Sequence, residues 1–235
     1  MPQIIAAPRI VIFDVDGTLI DSVDQHARAW VDALSDYGHR VHFEAVRRQI
    51  GKGGDQLMPM FLSASEISEY GDDLESHRGR ILKERYLPTI RAFPHVRALL
   101  ERVRAAGKRV ALASSAKAEE LAAYEKIANI ADLIDARTSS DDADRSKPCP
   151  DIFEAVLRRF EVADPGHAIA VGDTPYDAEA AAGAGIRTIG LLCGGWTEGE
   201  LREAGCIAVY RDVADLLARF AKSAIAVDPS AVAAS

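Results

Sequence analysis

Residues 10–19 read Ile-Val-Ile-Phe-Asp-Val-Asp-Gly-Thr-Leu, an apolar run followed at once by two acids and a glycine. Four consecutive apolar residues predict a short strand that is covered on both faces. In an open α/β sheet, ligands bind just beyond the carboxyl ends of the strands. The sequence therefore places Asp14 and Asp16 at the ligand-binding edge of a sheet.

Asp14 and Asp16 stand only two positions apart, so their carboxylates repel each other unless a cation compensates them. Mg²⁺ takes hard oxygen ligands and often joins protein carboxylates to a phosphate. Gly17 allows a sharp turn, and the backbone N–H groups of Gly17 and Thr18 could face a phosphate. The alternative interpretation is a solvated turn in which Asp16 or Thr18 caps a helix.

Further apolar runs, rich in β-branched residues, alternate with helical patterns along the chain. They occupy residues 109–113, 133–136, 168–171, 188–192 and 207–210. This alternation predicts an α/β fold with a doubly wound parallel sheet, a Rossmann-like catalytic core. Residues 22–88 contain helical patterns and no convincing strand, which predicts a small all-helical cap domain inserted after the first strand. The core would then comprise residues 1–21 and 89–223, followed by a disordered tail of residues 224–235.

The 235 residues carry a formal net charge of −8. Binding to nucleic acid or to an anionic membrane needs a basic surface, so we expect neither partner. The three cysteines have neither zinc-site nor CxxC spacing, and the N-terminus does not resemble a signal peptide. These features predict a cytoplasmic protein, either a monomer or a homodimer, that acts on a small molecule.

Residues 13–19, Phe-Asp-Val-Asp-Gly-Thr-Leu, resemble the first motif of the haloacid dehalogenase-like hydrolase superfamily. The resemblance implies that Asp14 attacks phosphorus and forms an aspartyl-phosphate. It implies that Asp16 protonates the leaving oxygen and then activates water, for which its pKa should be raised. It also implies Mg²⁺ as the cofactor, with ligands from the Asp14 side chain and the Asp16 backbone carbonyl.

Three further motifs resemble the same family and follow in its order. Ser114, before Ser115, matches the motif whose hydroxyl binds a phosphoryl oxygen, although a helix N-cap would also explain it. Lys147 opens Lys-Pro-Cys-Pro-Asp-Ile-Phe and matches the lysine that holds the nucleophile. Asp173 and Asp177, in Gly-Asp-Thr-Pro-Tyr-Asp, match the acids that bind the metal directly or through water. The alternative is that Asp173 is a helix N-cap and that Asp177 occupies the first turn, where the helix dipole favours an acid.

The predicted cap contains Gly-Lys-Gly-Gly-Asp at residues 51–55, which resembles the family's substrate-specificity loop. Lys52 could bind an anionic end of the substrate, and a solvated loop lysine explains it at least as well. His26 and Arg28 are similar to residues of the sugar-phosphate mutase branch. An exposed helix face explains these two residues equally well.

Together the motifs imply a Mg²⁺-dependent phosphatase for a small phosphorylated metabolite, similar to phosphoglycolate phosphatase. Asp16 argues against a dehalogenase, which needs no acid/base at that position. The main alternative is a sugar phosphomutase similar to β-phosphoglucomutase, whose fourth motif instead resembles Glu-Asp-Ser. A non-catalytic phosphate-binding module is less favoured, because every acid of the motifs is present.

Overall fold

The computed structural model describes residues 8–226, and its centre is a six-stranded parallel sheet. The strands are β1 (Ile10–Phe13), β2 (Ile20–Asp21), β3 (Arg91–Ala92), β4 (Arg109–Ala113), β5 (Ala136–Thr138), β6 (Ala168–Gly172), β7 (Arg187–Leu191) and β8 (Ala208–Tyr210). The order in the large sheet is β5-β4-β1-β6-β7-β8. Strand β1 thus lies between β4 and β6, with Ile10 paired to Arg109 on one side and Ala168 on the other.

Helices cover both faces of this sheet. They are α1 (Val23–Asp36), α2 (Phe43–Arg47), α3 (Gly54–Leu57), α4 (Ala64–Ile81), α5 (Val96–Ala105), α6 (Ala118–Ala128), α7 (Asp151–Arg159), α8 (Pro175–Gly183), α9 (Glu198–Glu203) and α10 (Val213–Ala218). Alternate β1 side chains enter two separate cores, Ile10 and Ile12 in one and Val11 and Phe13 in the other. This two-sided burial explains the uninterrupted apolar run and confirms the predicted doubly wound α/β fold.

One predicted strand begins later than expected. Apolar residues 133–136 predict a strand, but Ala131–Leu133 form a 3₁₀ turn and β5 starts at Ala136. Leu133 is buried in the larger core from this turn. Its apolar character therefore reflects packing of the turn and not a position in the sheet.

Strands β2 and β3 form a separate two-stranded antiparallel pair, with Ile20 opposite Ala92. Between them the described chain contains helices and turns, including α4, which begins with a capping box made by Ser63 and Glu66. The pair β2–β3 therefore frames the helical insert expected from the sequence. Its division from the core as a domain of residues 22–88 stays a prediction.

The end of the chain is only partly described. Of the predicted disordered tail, residues 227–235 lie outside the described range. Within the described part, Ile225 is fully buried in the larger core, so ordered packing extends at least to that residue. In residues 8–226, no helix is both long and apolar enough to span a bilayer.

Replacing Leu100 with alanine should lower the free energy of unfolding by about 2–5 kcal/mol, because the side chain is fully buried on α5 and its loss leaves a cavity. Urea unfolding measures this change. The matched control is Ile207→Ala at a side chain that is 43% exposed, where we expect a change within about 0.5 kcal/mol. Equal changes in the two variants would contradict the core assignment.

Candidate active site

The ends of neighbouring strands bring the four sequence motifs together. Asp14 follows β1, Ser114 follows β4 and Asp173 follows β6, and these strands are adjacent in the sheet. Lys147 lies in the segment between β5 and α7. Residues separated by up to 155 positions in sequence thereby meet at one edge of the sheet, as hydrogen bonds between them show.

Lys147 is the buried cation at the centre of this edge. Its Nζ lies 2.5 Å from Asp14 Oδ1 and 2.8 Å from Asp177 Oδ1, and it donates to the Ala113 carbonyl at 2.8 Å. The side chain has no exposed surface. Burial alone would lower the pKa of Lys147, but the two carboxylates outweigh it and raise that pKa.

Asp14, Asp173 and Asp177 form a compact cluster of buried acids, each with an oxygen within 4.8 Å of the others. Asp14 Oδ2 and Asp173 Oδ2 have no hydrogen-bond partner within residues 8–226. Burial, with the nearby Asp177 charge, raises the pKa of Asp14 to about 7 despite Lys147. Burial and the Asp14 charge also raise the pKa of Asp173. Unpartnered buried oxygens of this hard type fit a divalent cation such as Mg²⁺.

Asp16 lies outside that cluster and turns towards the helical insert. Asp16 Oδ1 accepts a hydrogen bond from Ser22 Oγ at 2.6 Å and lies 2.9 Å from His26 Nε2. Ser114 Oγ is 3.5 Å from Asp16 Oδ2. Burial favours the neutral acid, but His26 and Ser22 outweigh it and lower the pKa of Asp16. The expected upward shift is therefore wrong for this state, because the insert supplies donors to the carboxylate.

His26 is the site residue that the sequence pattern placed least well. It is buried, and its Nε2 also lies 2.8 Å from the hydroxyl of Tyr124 on α6. The exposed-face interpretation is wrong for His26 and correct for Arg28, which is exposed above the Phe43 ring. The sequence did contain a signal for the burial of His26. It lies four residues before the apolar Trp30, and residues at this spacing share one face of a helix.

The residues predicted to bind phosphate have hydroxyls that already bond within the protein. Thr18 Oγ1 donates to Asp173 Oδ1 at 2.7 Å, and Ser115 Oγ donates to the Gly51 carbonyl at 3.2 Å. Ser114 Oγ accepts from the Ala116 N–H at 3.0 Å. Ser114 is not a helix N-cap, since α6 begins at Ala118. The bond from Ser115 joins the core to the insert.

Two glycines leave room for Asp173. Gly17 has φ +86°, and a Cβ there would lie 2.4 Å from Asp173 Oδ2. A Cβ on Gly194 would lie only 1.6 Å from the same oxygen. The first motif indicated Gly17 as a site residue. Gly194 was missed, because it belongs to no recognised motif and only the tertiary fold brings it next to Asp173.

Asp177 lies in the first turn of α8, as the alternative interpretation expected. Its Oδ2 accepts hydrogen bonds from the Thr174 N–H at 3.0 Å and the Thr174 hydroxyl at 2.7 Å, in a capping box for α8. Its Oδ1 faces Lys147. The N-cap is Thr174 and not Asp173, so Asp173 remains available to the acidic cluster.

Lys52 lies in the insert, and its ammonium group contacts Gln49 and Tyr176. Its Nζ donates to Gln49 Oε1 at 2.6 Å and lies 4.5 Å from the centre of the Tyr176 ring. Burial lowers the pKa of Lys52, partly opposed by the Glu179 charge. A role in binding substrate stays a prediction for this residue.

Insert and core enclose a small cavity of about 30 Å³. Its lining includes Asp14 and Asp16 from the sheet edge and Lys52 and Arg78 from the insert. A cavity of this size holds only one or two water molecules. In this conformation the cavity is therefore too small for a metabolite.

Comparison with known proteins agrees with this geometry. Residues 11–191 match the haloacid dehalogenase-like hydrolase family. A phosphorylated carbohydrates phosphatase of Thermotoga maritima is 29% identical over 205 residues, covering 86% of this chain and 93% of the relative. A phosphoglycolate phosphatase of Nitrosospira multiformis is 30% identical over 207 residues, covering 86% and 90%. The solved structure of a hydrolase from Pseudomonas syringae is 30% identical, with a TM-score of 0.81 and coverage of 90% and 97%.

The chain belongs to the haloacid dehalogenase-like hydrolase family, which confirms the resemblance seen in its motifs. The matched range, residues 11–191, includes Asp14, Ser114 and Asp173 at the ends of their strands. The enzyme class expected from the sequence, a phosphoric monoester hydrolase, is also the class of the two phosphatases that match it.

Replacing Lys147 with methionine should lower the free energy of unfolding by about 3–5 kcal/mol, since it leaves buried carboxylates without their cation. Urea unfolding at pH 8 without divalent cations measures this. The matched control is Lys83→Met, which removes an exposed ion pair with Glu119 and should leave the midpoint almost unchanged. A stability of Lys147→Met equal to that of the control would contradict the role assigned to the buried cation.

Proposed function

We propose that the chain is a Mg²⁺-dependent phosphatase that hydrolyses a small phosphorylated metabolite through an aspartyl-phosphate on Asp14. The observation that carries this proposal is the state of the Asp14 carboxylate. One of its oxygens is held by Lys147, and the other is buried without a partner within residues 8–226. The two named phosphatases similar to this chain support the same reaction.

Asp14, Asp173 and Asp177 would hold the Mg²⁺ ion, together with the backbone carbonyl of Asp16. When bound, the ion supplies positive charge that offsets the repulsion between carboxylate and phosphate. Asp177 would act directly or by orienting a water ligand. Lys147 keeps Asp14 in position and adds a second positive charge beside the phosphoryl group.

In the first step, an electron pair of the Asp14 carboxylate forms the bond to phosphorus while the bond to the leaving oxygen breaks. Asp16 donates a proton to that oxygen. In the second step Asp16 accepts a proton from the attacking water, and the aspartyl-phosphate is hydrolysed. The lowered pKa of Asp16 in this state suits the second step, for which a carboxylate base is needed.

The hydroxyls beside the acids would bind the phosphoryl oxygens. Ser114 is buried next to Asp16, and Ser115 and Thr18 lie on the same edge. Movement of the insert would break the bond from Ser115 to the Gly51 carbonyl and free that hydroxyl for substrate. Closure over the bound ester would then exclude bulk water from Asp14.

A sugar phosphomutase is the second candidate, and the contact of His26 with Asp16 favours it. His26 is one of the two residues similar to the mutase branch of the family. A mutase returns the phosphoryl group to a sugar phosphate and releases no net phosphate. Assays of phosphate release therefore separate the two candidates.

We also propose a cytoplasmic location, of which the three unpaired cysteines are typical.

With Mg²⁺, the wild-type protein should hydrolyse p-nitrophenyl phosphate, and Asp14→Asn should lower the turnover by at least about 1,000-fold. The amide cannot act as the nucleophile. EDTA should abolish the wild-type activity. The matched control is Asp36→Asn on the exposed side of α1, which should retain it. Turnover by Asp14→Asn indistinguishable from that of the wild type would refute the phosphatase proposal.

Mg²⁺ should raise the melting temperature of the wild-type protein by about 5–10 °C when present at about 100 times its dissociation constant. Asp173→Asn should lose most of this response, because the amide replaces a buried ligand oxygen with a weaker one. Asp36→Asn is again the control and should keep it. Differential scanning fluorimetry measures the response without relying on activity. A full Mg²⁺ response in Asp173→Asn would remove that residue from the metal site.

A further inference from the structure

The glycine-rich segment of the insert at residues 51–55, Gly-Lys-Gly-Gly-Asp, lies directly against the core. It approaches the core at three points, and each residue that it meets there is next in sequence to a residue of the candidate active site. The three core residues are Ser115, Ser146 and Thr174, which adjoin Ser114, Lys147 and Asp173. Residues 51–55, here called the motif-contacting loop, therefore touch three of the four sequence motifs.

The closest of these approaches is that of Gly53 to Ser146. Ser146 is buried, and a Cβ on Gly53 would lie 2.0 Å from Ser146 Oγ and 2.6 Å from Ser146 Cβ. These separations are far shorter than van der Waals contact, so no side chain fits at position 53 in this arrangement. Gly53 has φ −80°, which any residue can adopt. Glycine is therefore needed at this position for space and not for backbone conformation.

Asp55 holds the backbone of the same core residue. It lies at the start of α3, and its Oδ2 accepts a hydrogen bond from the Ser146 N–H at 3.1 Å. Ser146 immediately precedes Lys147, whose Nζ lies 2.5 Å from Asp14 Oδ1. Consecutive residues share a rigid peptide unit, so a displacement of Ser146 also displaces the backbone that carries the Lys147 side chain. The insert thus bears directly on the segment that supplies the buried cation.

Gly51 makes the other two approaches. Its carbonyl accepts the hydrogen bond from Ser115 Oγ at 3.2 Å. A Cβ on Gly51 would lie 2.9 Å from Cγ2 of Thr174, the residue whose N–H and hydroxyl both donate to Asp177. Gly51 also has φ +107°, so here close approach and backbone conformation both favour glycine. The motif-contacting loop therefore meets all three core segments at once.

Recognition of a substrate by this loop would not explain Gly53, because the missing side chain makes room for the core and not for a ligand. We infer that Gly53 and Asp55 are positioning residues, which hold the segment of Ser146 and Lys147 so that the lysine ammonium group stays within hydrogen-bond distance of Asp14. This inference rests on the proposed phosphatase function and gives the insert a second role in it. Besides covering the site, the insert completes the placement of the buried cation.

The first measurement is the turnover of p-nitrophenyl phosphate with Mg²⁺ by Gly53→Ala. The added Cβ displaces Ser146 and Lys147 with it, so kcat should fall by at least about tenfold, and by a larger factor than KM changes. The matched control is Gly79→Ala on α4 of the insert, where a Cβ would meet only Glu120 Oε1 at 3.9 Å, and it should keep the wild-type kcat. A wild-type kcat in Gly53→Ala would overturn the inference.

A second substitution tests whether Gly53 acts through Ser146. Ser146→Gly removes both atoms that the new Cβ would press against, and the next atom, Asp55 Oδ1 at 2.9 Å, belongs to an exposed side chain that can shift slightly. The double variant Gly53→Ala/Ser146→Gly should therefore reach a kcat within about threefold of that of Ser146→Gly alone. If Gly53→Ala lowers kcat as much in the Ser146→Gly background as in the wild type, the inference is wrong.

The ammonium resonance of Lys147 tests the inference without turnover. In ¹⁵N-labelled protein this resonance is identified by its loss in Lys147→Met. Gly53→Ala should shift it, and Gly79→Ala should leave it in place. An unshifted resonance in Gly53→Ala would refute the positioning role at any level of activity. If the wild-type protein hydrolyses no phosphate ester, the phosphatase proposal fails, whereas a shifted resonance in Gly53→Ala still supports the role of the loop in placing Lys147.

Discussion

The buried contact of Lys147 with Asp14 and Asp177 is the interaction on which the site depends. Three carboxylates lie close together away from water, where like charges repel strongly. One ammonium group offsets only part of that charge. A divalent cation would bring the formal charge of the four side chains to zero, with Asp14 and Asp173 each offering an unpartnered oxygen. The arrangement is therefore complementary to a cation and, through it, to a phosphate ester.

Much of this arrangement could be predicted from the sequence. Continuous apolar runs indicated parallel strands, and parallel strands share one carboxyl edge, so Asp14, Ser114 and Asp173 were expected to meet. The motif around Lys147 was distinctive enough to assign it to the same edge. These residues immediately follow buried strands or lie shortly before a helix, and local pattern indicates their positions before any tertiary contact is known.

The rest of the site depends on contacts that no local pattern specifies. His26 reaches Asp16 only because α1 packs over the sheet edge, and Gly194 borders Asp173 only because its loop returns from β7. A raised pKa was expected for Asp16 from the needs of catalysis. Hydrogen-bond donors that the fold places beside the carboxylate lower it instead. Arg78 and Glu120 look like ordinary surface charges in sequence. They pair only because α4 and α6 approach each other in the fold.

In the proposed reaction, the position of the insert and the protonation of Asp16 would be coupled through the first residues of the insert. Ser22 and His26 stabilise the ionised carboxylate while the cavity is closed and too small for substrate. In the proposed reaction, a phosphate ester brings further negative charge next to Asp16, which favours the protonated acid. The substrate would thus help to create the acid that its own leaving group needs. After that group departs, the contacts of Ser22 and His26 would again favour the carboxylate that acts as the base in hydrolysis of the aspartyl-phosphate.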